Sequence, residues 1–229
     1  LALGVCLWRR PRLAGPAAAR KGGWGIPWRE LRLPLILLFA LETLMGFVFQ
    51  GFATFLPAHL AQHGGIPGLN AAAVTRGGVL ASAAYLVGGL GHALAGRLMG
   101  LPRRQTIFFG AVVIASLCLL AMGTTTGLVL VASSILVAFA HFGLATMSNS
   151  LIAAQAPPHL GGTAFGITFV LAFGVGSLAS SAMGAVAEHA GLHAVFLALA
   201  GVSFAAALLV AVFGLATRSA SAPPAARRT

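Results

Sequence analysis

Glu42 is the only carboxylate inside an apolar stretch of this 229-residue chain, which contains just three acidic residues. Burying an ionised acid in hydrocarbon costs at least about 2.5–3.5 kcal/mol on insertion scales, so this side chain needs either a partner or a proton. No Lys or Arg lies at a comparable depth. The partner is therefore His141, water in a cavity, or a group outside this chain, and a carboxyl group in such surroundings can load and release protons.

Further polar side chains lie in the same two stretches as Glu42 and His141. Gln50 borders the helix face that Glu42 shares with Phe49, and Asn149 follows His141 by about two helical turns. Such groups either bind a solute through hydrogen bonds or bond to a neighbouring helix. The sequence leaves both interpretations open.

Six apolar segments must position these residues, and each is long enough to cross about 30 Å of hydrocarbon as a helix. Glu42 and Gln50 belong to the first segment, and His141 and Asn149 to the fourth. The pattern therefore predicts an all-α membrane protein. Its predicted spans are 33–61, 77–96, 106–123, 127–156, 161–187 and 192–217.

The basic residues lie on one side of the membrane that these spans define. Seven precede the first span, three lie between the second and third, and three follow the last, whereas Arg76 alone lies in an opposite loop. The positive-inside rule then predicts a multi-pass protein of the plasma (inner) membrane, with both ends of the chain in the cytoplasm.

Composition excludes several other classes of protein. Hydrophobic residues make up 59% of the chain and charged residues 7%, and the mean hydropathy is +0.96, which is incompatible with a soluble domain. The net charge of +11 falls on helix flanks, where it meets anionic lipid headgroups and not nucleic acid. GxSG, HExxH and GxxxxGKS motifs are absent, so we expect neither an enzyme nor a cofactor.

Local composition divides the chain into four regions. Residues 1–8 form a short apolar run that leads directly into basic residues, as the stump of a preceding transmembrane helix would, although an incidentally apolar terminus is the alternative. Residues 9–32 are rich in Gly and Pro and are typical of a cytoplasmic linker. Residues 33–217 form the predicted six-helix bundle, and 218–229 a disordered tail.

An internal repeat relates residues 77–100 to residues 161–184. The second span enters from outside and the fifth from the cytoplasm, so the match predicts an inverted three-plus-three repeat. Small residues recur at helical spacing in both copies and predict close packing between helices. The glycines concerned are Gly88, Gly96 and Gly100 in the first copy, and Gly176 and Gly184 in the second.

The segment GHALAGRLMGLPRR at 91–104 resembles the loop motif of the major facilitator superfamily, G-x-L-a-D-R-x-G-R-R. Gly96 stands where the motif has Asp, and His92 where it has its first Gly. The Gly-rich segment 161–184 resembles the eleventh helix of the same family. The matching loop residues are Leu94, Ala95, Arg97, Gly100, Arg103 and Arg104.

The resemblance implies the C-terminal half of a twelve-helix secondary active transporter, which moves a small solute by alternating access and has an N-terminal six-helix half as its partner. The first and fourth helices of each half line the cavity in this family. Glu42 is then a proton-coupling or substrate-binding acid, and Gln50, His141 and Asn149 are substrate-cavity residues. The resemblance identifies neither the substrate nor the coupling ion.

The same resemblance assigns a cytoplasmic latch to Arg97, Arg103 and Arg104, which can bind helix carbonyls or carboxylates of a neighbouring loop. With Gly96 in place of Asp, the latch lacks a carboxylate of its own. The alternative is that these arginines only orient the helices.

The histidines near the outer ends of the spans form two groups. His59 and His63 have i, i+4 spacing, and Glu188, His189 and His193 lie in a different loop. Imidazoles at that spacing can share a metal ion, but no spacing unites the two groups, so we predict solvated loop histidines and no metal site. Cys6 and Cys118 lack a CxxC spacing and indicate neither a disulfide nor a metal ligand set.

Two other classes of protein stay open at this point. One is a six-helix membrane sensor or structural protein, which an attached soluble domain would favour. The other is a half-size transporter that pairs with itself or with another half. Glu42 in the bundle interior favours transport over a structural role.

Overall fold

A computed structural model describes residues 33–66, 72–101 and 104–221 of the chain, with side chains as far as residue 215. Nearly all of these residues are helical. The predicted stump at 1–8, the linker at 9–32 and residues 222–229 of the predicted tail lie outside this range. The main helices are α1 (Leu33–His63), α2 (Ala73–Leu98), α3 (Arg104–Thr124), α4 (Gly127–Gln155), α5 (Gly161–Phe169) and α6 (Leu178–Ser221).

Two short helical segments flank α5. A 3₁₀ turn over Pro158–Leu160 precedes it, and a π-helix over Val170–Val175 joins it to α6. Helical structure therefore runs almost without interruption from 158 to the end of the described residues. α6 continues to Ser221, past the start of the predicted tail.

Five helical stretches in the described residues are long and apolar enough to cross a membrane. Four are α1 to α4, and the fifth is the 58-residue run Pro158–Leu215. The protein is therefore an integral membrane protein built from helices. The two last predicted spans, 161–187 and 192–217, fall together in the fifth stretch.

The chain reverses direction at Gly191, within α6. Its φ of 81° and ψ of 173° are non-helical, and glycine adopts positive φ without a steric penalty. Before this point the chain runs parallel to α1, since Ala172 packs on Gly46 and Ser180 bonds to Thr54 further along. After it the order is reversed: His193 lies against His59, and Leu199 lies against Gly51.

Two apolar clusters stacked along α1 form the core. The cluster nearer Leu33 contains the fully buried Phe108 and Leu38, and the cluster nearer His63 contains Phe52 and Phe196. Large apolar side chains also cover the outside, as Leu86 does at 80% exposure, because lipid is as favourable a surrounding as the core. The two clusters define a Leu33 end and a His63 end of the bundle.

Glycines set the closest helix contacts. A Cβ atom added to Gly88 would lie 2.8 Å from the Phe142 ring, and one added to Gly91 would lie 2.1 Å from the Phe139 carbonyl oxygen, so α2 and α4 pack backbone to backbone. Gly176 packs similarly on Gly46. The predicted glycine stripe is not continuous in the described residues: a Cβ on Gly96, Gly100 or Gly184 would meet no other helix closer than 4.0 Å.

Replacing Gly91 by alanine is expected to lower the free energy of unfolding by about 1–3 kcal/mol, because its methyl group would overlap a backbone carbonyl that cannot move aside. The midpoint of thermal unfolding of the complete chain in detergent measures this. Gly89→Ala is the matched control, because it lies on the same helix with no atom within 4 Å, and its better helix propensity should leave the midpoint equal or higher. Equal midpoints for the two variants would contradict the packing argument.

Candidate functional site

Glu42 lies on α1, about 13 Å from the Leu33 end at 1.5 Å per residue. The hydroxyl of Ser148 on α4 donates a hydrogen bond to Glu42 Oε1. The sequence left His141, water in a cavity or a group outside this chain as possible partners, and Ser148 is none of these. A hydroxyl satisfies one carboxylate oxygen but supplies no positive charge, so a proton or a cation remains the group that can neutralise Glu42.

Glu42 lies in the wall of a cavity of about 290 Å³ between α1, α2, α4 and the α5 to π-helix segment. α1, α4 and the α5 to π-helix segment each line it with residues three or four apart, so that one face of each is used, whereas α2 contributes His92 and α3 contributes Phe108. Most of the lining is apolar. The lining residues are Glu42, Met45, Gly46, Phe49, His92, Phe108, His141, Phe142, Leu144, Ala145, Ser148, Asn149, Thr168, Phe169, Ala172 and Phe173.

A row of four aromatic rings crosses the cavity wall. It runs from α4 to α1, back to α4 and then to α2. His141 stacks on Phe49 with ring centroids 5.1 Å apart, Phe49 contacts Phe142 at 5.8 Å, and Phe142 stacks on His92 at 5.2 Å. The His92 Nδ1 atom lies 2.8 Å from the Thr146 hydroxyl. These contacts hold both imidazoles flat against phenyl rings and give the wall a polarisable surface.

The end of α5 and the π-helix supply another part of the cavity wall. Phe169 and Phe173 stack on each other at 5.8 Å and are about half exposed, at 59% and 52%. Ala172 lies against Gly46, which is one turn after Glu42 on α1. π-helical turns recur at functional sites in helical proteins, since the extra residue re-aims the side chains that follow it.

The polar residues predicted for the cavity are only partly brought together. His141, which is buried, hydrogen-bonds the backbone of Met45 and lines the cavity, and Asn149 lines it with an exposed side chain. Gln50 is half buried and lies outside the cavity wall. It follows Phe49 directly in the sequence. Neighbouring side chains on a helix are rotated by about 100° around its axis, so Gln50 points away from the face that Glu42 and Phe49 share.

A family model described as Major Facilitator Superfamily matches residues 1–181 of the chain. The chain belongs to the major facilitator superfamily. It is thus a membrane protein of a transporter family and not an enzyme, as its sequence predicted.

Two relatives extend this result. The chain is 35% identical over 115 residues to the multidrug efflux pump Tap of Mycolicibacterium fortuitum, which is 50% of this chain and 27% of that protein. The crystal structure of the POT family transporter PepTSo matches with a TM-score of 0.64 at 18% identity, over 78% of this chain and 37% of that one. The second likeness concerns the fold alone. The chain spans well under half the length of either relative.

The superfamily loop motif lies at the Leu33 end. Arg97 and Arg104 are both exposed there, and Arg103 lies outside the described residues. The described residues contain two of the three acidic residues of the chain. Glu42 is bonded to Ser148, and Glu188 lies at the opposite, His63 end of the bundle, near Gly191. Neither carboxylate in the described residues therefore lies beside Arg97 or Arg104 at this end.

The outer histidines differ from the sequence prediction. His59 is fully buried and His63 and His193 are half buried, so the expectation of solvated loop histidines is wrong for His59. The three rings are clustered, although His59 and His193 are far apart in the chain, whereas Glu188 and His189 are exposed. No group of three metal-binding side chains in the described residues is arranged to hold an ion.

Sequence reasoning missed the aromatic part of this superfamily cavity. Phe142 and the π-helix were not predicted, and His92 was considered as part of the loop motif and not of the cavity. One available signal was the spacing of Phe165, Phe169 and Phe173, which recurs every four residues in a Gly-rich segment. The π-helix itself has no sequence signature, because it depends on how Ala172 and Gly176 pack on Gly46.

Proposed function

We propose that this chain is the C-terminal half of a secondary active transporter that moves a small solute by alternating access, with Glu42 coupling transport to protons. The observation that carries this proposal is the placement of Glu42. It is the one carboxylate in the cavity wall, it has a hydroxyl partner and no cationic partner among the described residues, and it lies beside exposed aromatic rings. Such a carboxyl group binds either a proton or a cationic solute, which is the exchange that coupling requires.

The cavity favours an amphipathic, drug-like solute. Stacked phenyl and imidazole rings offer flat contacts to an aromatic or aliphatic body, and Glu42 offers one site for a positive or hydrogen-bond-donating group. The likeness to a multidrug efflux pump supports the same choice and favours export. His141 and Asn149 complete the polar contacts, and Gln50 acts at most from outside the wall.

The open side of the cavity is where we place the N-terminal half. Phe169 and Phe173 are large, about half-exposed apolar side chains in the cavity wall, and a second six-helix half would cover them. Alternating access would then move this half against the other around Glu42. Arg97, Arg103 and Arg104 would close the Leu33 end against carboxylates of the partner half.

We further propose that the stretch 158–215 crosses the membrane twice, giving six spans in an inverted three-plus-three arrangement. The reversal at Gly191 supports this, because a 58-residue helix would be far longer than about 30 Å of hydrocarbon. α2 runs antiparallel to α1, since Gly77 packs on Pro57 and Tyr85 bonds to Ala53. The repeat copy that begins at Gly161 runs parallel to α1 and therefore antiparallel to α2.

Cysteine labelling is expected to place Ala190 and Ala154 on opposite sides of the membrane. Both residues are exposed, one beside the Gly191 turn and the other near the Leu33 end of α4. In a Cys6→Ser, Cys118→Ser background, a membrane-impermeant maleimide should label Ala190→Cys from outside intact cells and Ala154→Cys only after permeabilisation, as the positive-inside rule predicts. Labelling of both from the same side would rule out the six-span topology.

Reconstitution of the complete transporter in liposomes tests the function. Ethidium, a flat aromatic cation, serves as the probe, and its movement is followed by fluorescence under an imposed pH gradient. We expect flux that depends on the gradient and stops when a protonophore dissipates it. Ethidium flux that ignores the gradient would contradict proton coupling, and the absence of flux for ethidium and for related cations would contradict the solute class.

A further inference from the structure

Three imidazole rings form a compact cluster at the His63 end of the bundle. The ring centroid of His63 lies 4.9 Å from that of His59 and 4.2 Å from that of His193, and His59 lies 4.9 Å from His193. His59 and His63 are one helical turn apart on α1, and His193 begins the part of α6 that follows Gly191. The cluster is about 25 Å along α1 from Glu42, so it is separate from the cavity.

The hydrogen bonding of the cluster is incomplete. His59 Nε2 lies 2.9 Å from the Met122 carbonyl oxygen on α3, and because a carbonyl only accepts, this nitrogen carries the proton. The Nδ1 atoms of His59, His63 and His193 are all buried without a hydrogen-bond partner. Unsatisfied buried nitrogens are uncommon in proteins, and here three of them occur in one cluster.

The surroundings of the cluster contain little negative charge. On α2, the Arg76 guanidinium donates to the Ala61 carbonyl at 2.7 Å, next to the last turn of α1. On α6, Glu188 and His189 are exposed, and no ion pair joins Glu188 to the cluster in the described residues. α3 contributes the uncharged Met122 carbonyl, and Phe196 stacks against His59 at 4.4 Å.

We propose that these three histidines form a proton-binding site that holds α1, α3 and α6 together while the rings are neutral and releases them on protonation. Each ring lies within 4.9 Å of the other two, so each added charge repels the next at short range, and no carboxylate of the described residues is bonded to the cluster. Histidine is the side chain whose charge ordinarily changes between about pH 5 and 8. The site does not depend on the role proposed for Glu42.

Spin labels across the cluster test this site. Gln62 on α1 and Ala190 on α6 are exposed positions at this end and are replaced by cysteine, and Cys6→Ser and Cys118→Ser remove the two native thiols of this sequence. Double electron–electron resonance on the complete chain in lipid nanodiscs compares the label distance at about pH 8 and about pH 5, the range over which histidine changes its charge. We expect a short, narrow distribution at the higher pH and a longer or broader one at the lower pH.

The variants decide whether the cluster is responsible. His63→Gln and His193→Gln each keep His59 and its bond to Met122, and we expect either change to reduce the pH response at least by half. His189→Gln is the matched control, because it removes an exposed histidine of the same end and should leave the response intact. A response that survives in His63→Gln and His193→Gln, a loss in His189→Gln, or a label distance that follows added zinc at fixed pH would each overturn the proposal.

Discussion

Replacing Glu42 by glutamine is expected to abolish transport driven by a pH gradient and to weaken binding of a cationic solute by about ten- to a hundredfold. The binding estimate follows from about 1.5–3 kcal/mol for a hydrogen bond to a charged group, at about 1.4 kcal/mol for each factor of ten. Glutamine keeps the size of the side chain and an oxygen that accepts from Ser148, so the fold should persist. Ethidium flux and ethidium binding to the complete transporter measure the two effects.

Glu188→Gln is the matched control for this experiment. Glu188 is the other carboxylate in the described residues, it is exposed, and it lies outside the cavity wall. Its replacement removes the same charge and should leave gradient-driven flux unchanged. Normal pH dependence in Glu42→Gln would show that Glu42 does not couple transport to protons, and equal losses in both variants would point to a general effect of charge.

Replacing Gly46 by alanine is expected to disrupt both the packing of the bundle and the cavity wall. An added Cβ would lie 2.3 Å from the carbonyl oxygen and 2.5 Å from the Cα atom of Ala172, and a backbone cannot move aside as a side chain does. The cost should be about 1–3 kcal/mol or more, and the π-helix, with its own Phe173 and the preceding Phe169, must shift away from Glu42. We expect a lower thermal midpoint and loss of ethidium flux together.

Gly166→Ala provides the comparison for Gly46→Ala. Gly166 lies on α5, two residues before the cavity-lining Thr168, and a Cβ there would meet no atom within 4 Å. This variant should retain both stability and flux. If Gly46→Ala unfolds at the same temperature as Gly166→Ala and transports at the same rate, neither stability nor transport requires the close contact between α1 and the π-helix.

The extent of the helices was largely predictable from the sequence. The third span was predicted at 106–123 and α3 covers Arg104–Thr124, while the fourth was predicted at 127–156 and α4 covers Gly127–Gln155. Hydrocarbon requires long, uninterrupted helices, so apolar length alone sets these bounds. Residues 188–191, which the sequence left between two apolar segments, include Gly191, where positive φ interrupts α6.

The contacts between helices were much less predictable. A membrane helix is apolar on its lipid side as well as its packed side, so hydrophobic periodicity does not show which face is buried. For this reason the sequence did not reveal that Ser148 bonds to Glu42, that Gln50 leaves the cavity wall, or that Gly91 and not Gly96 packs closely.

The sequence by itself determined the membrane class, the helical spans and the single acid whose burial demands a partner or a proton, because desolvation depends on local composition. The tertiary structure alone decided which groups meet that acid and that His59 and His63 meet His193. Both depend on how separate helices cross and on a chain reversal at Gly191, which only packing in three dimensions fixes.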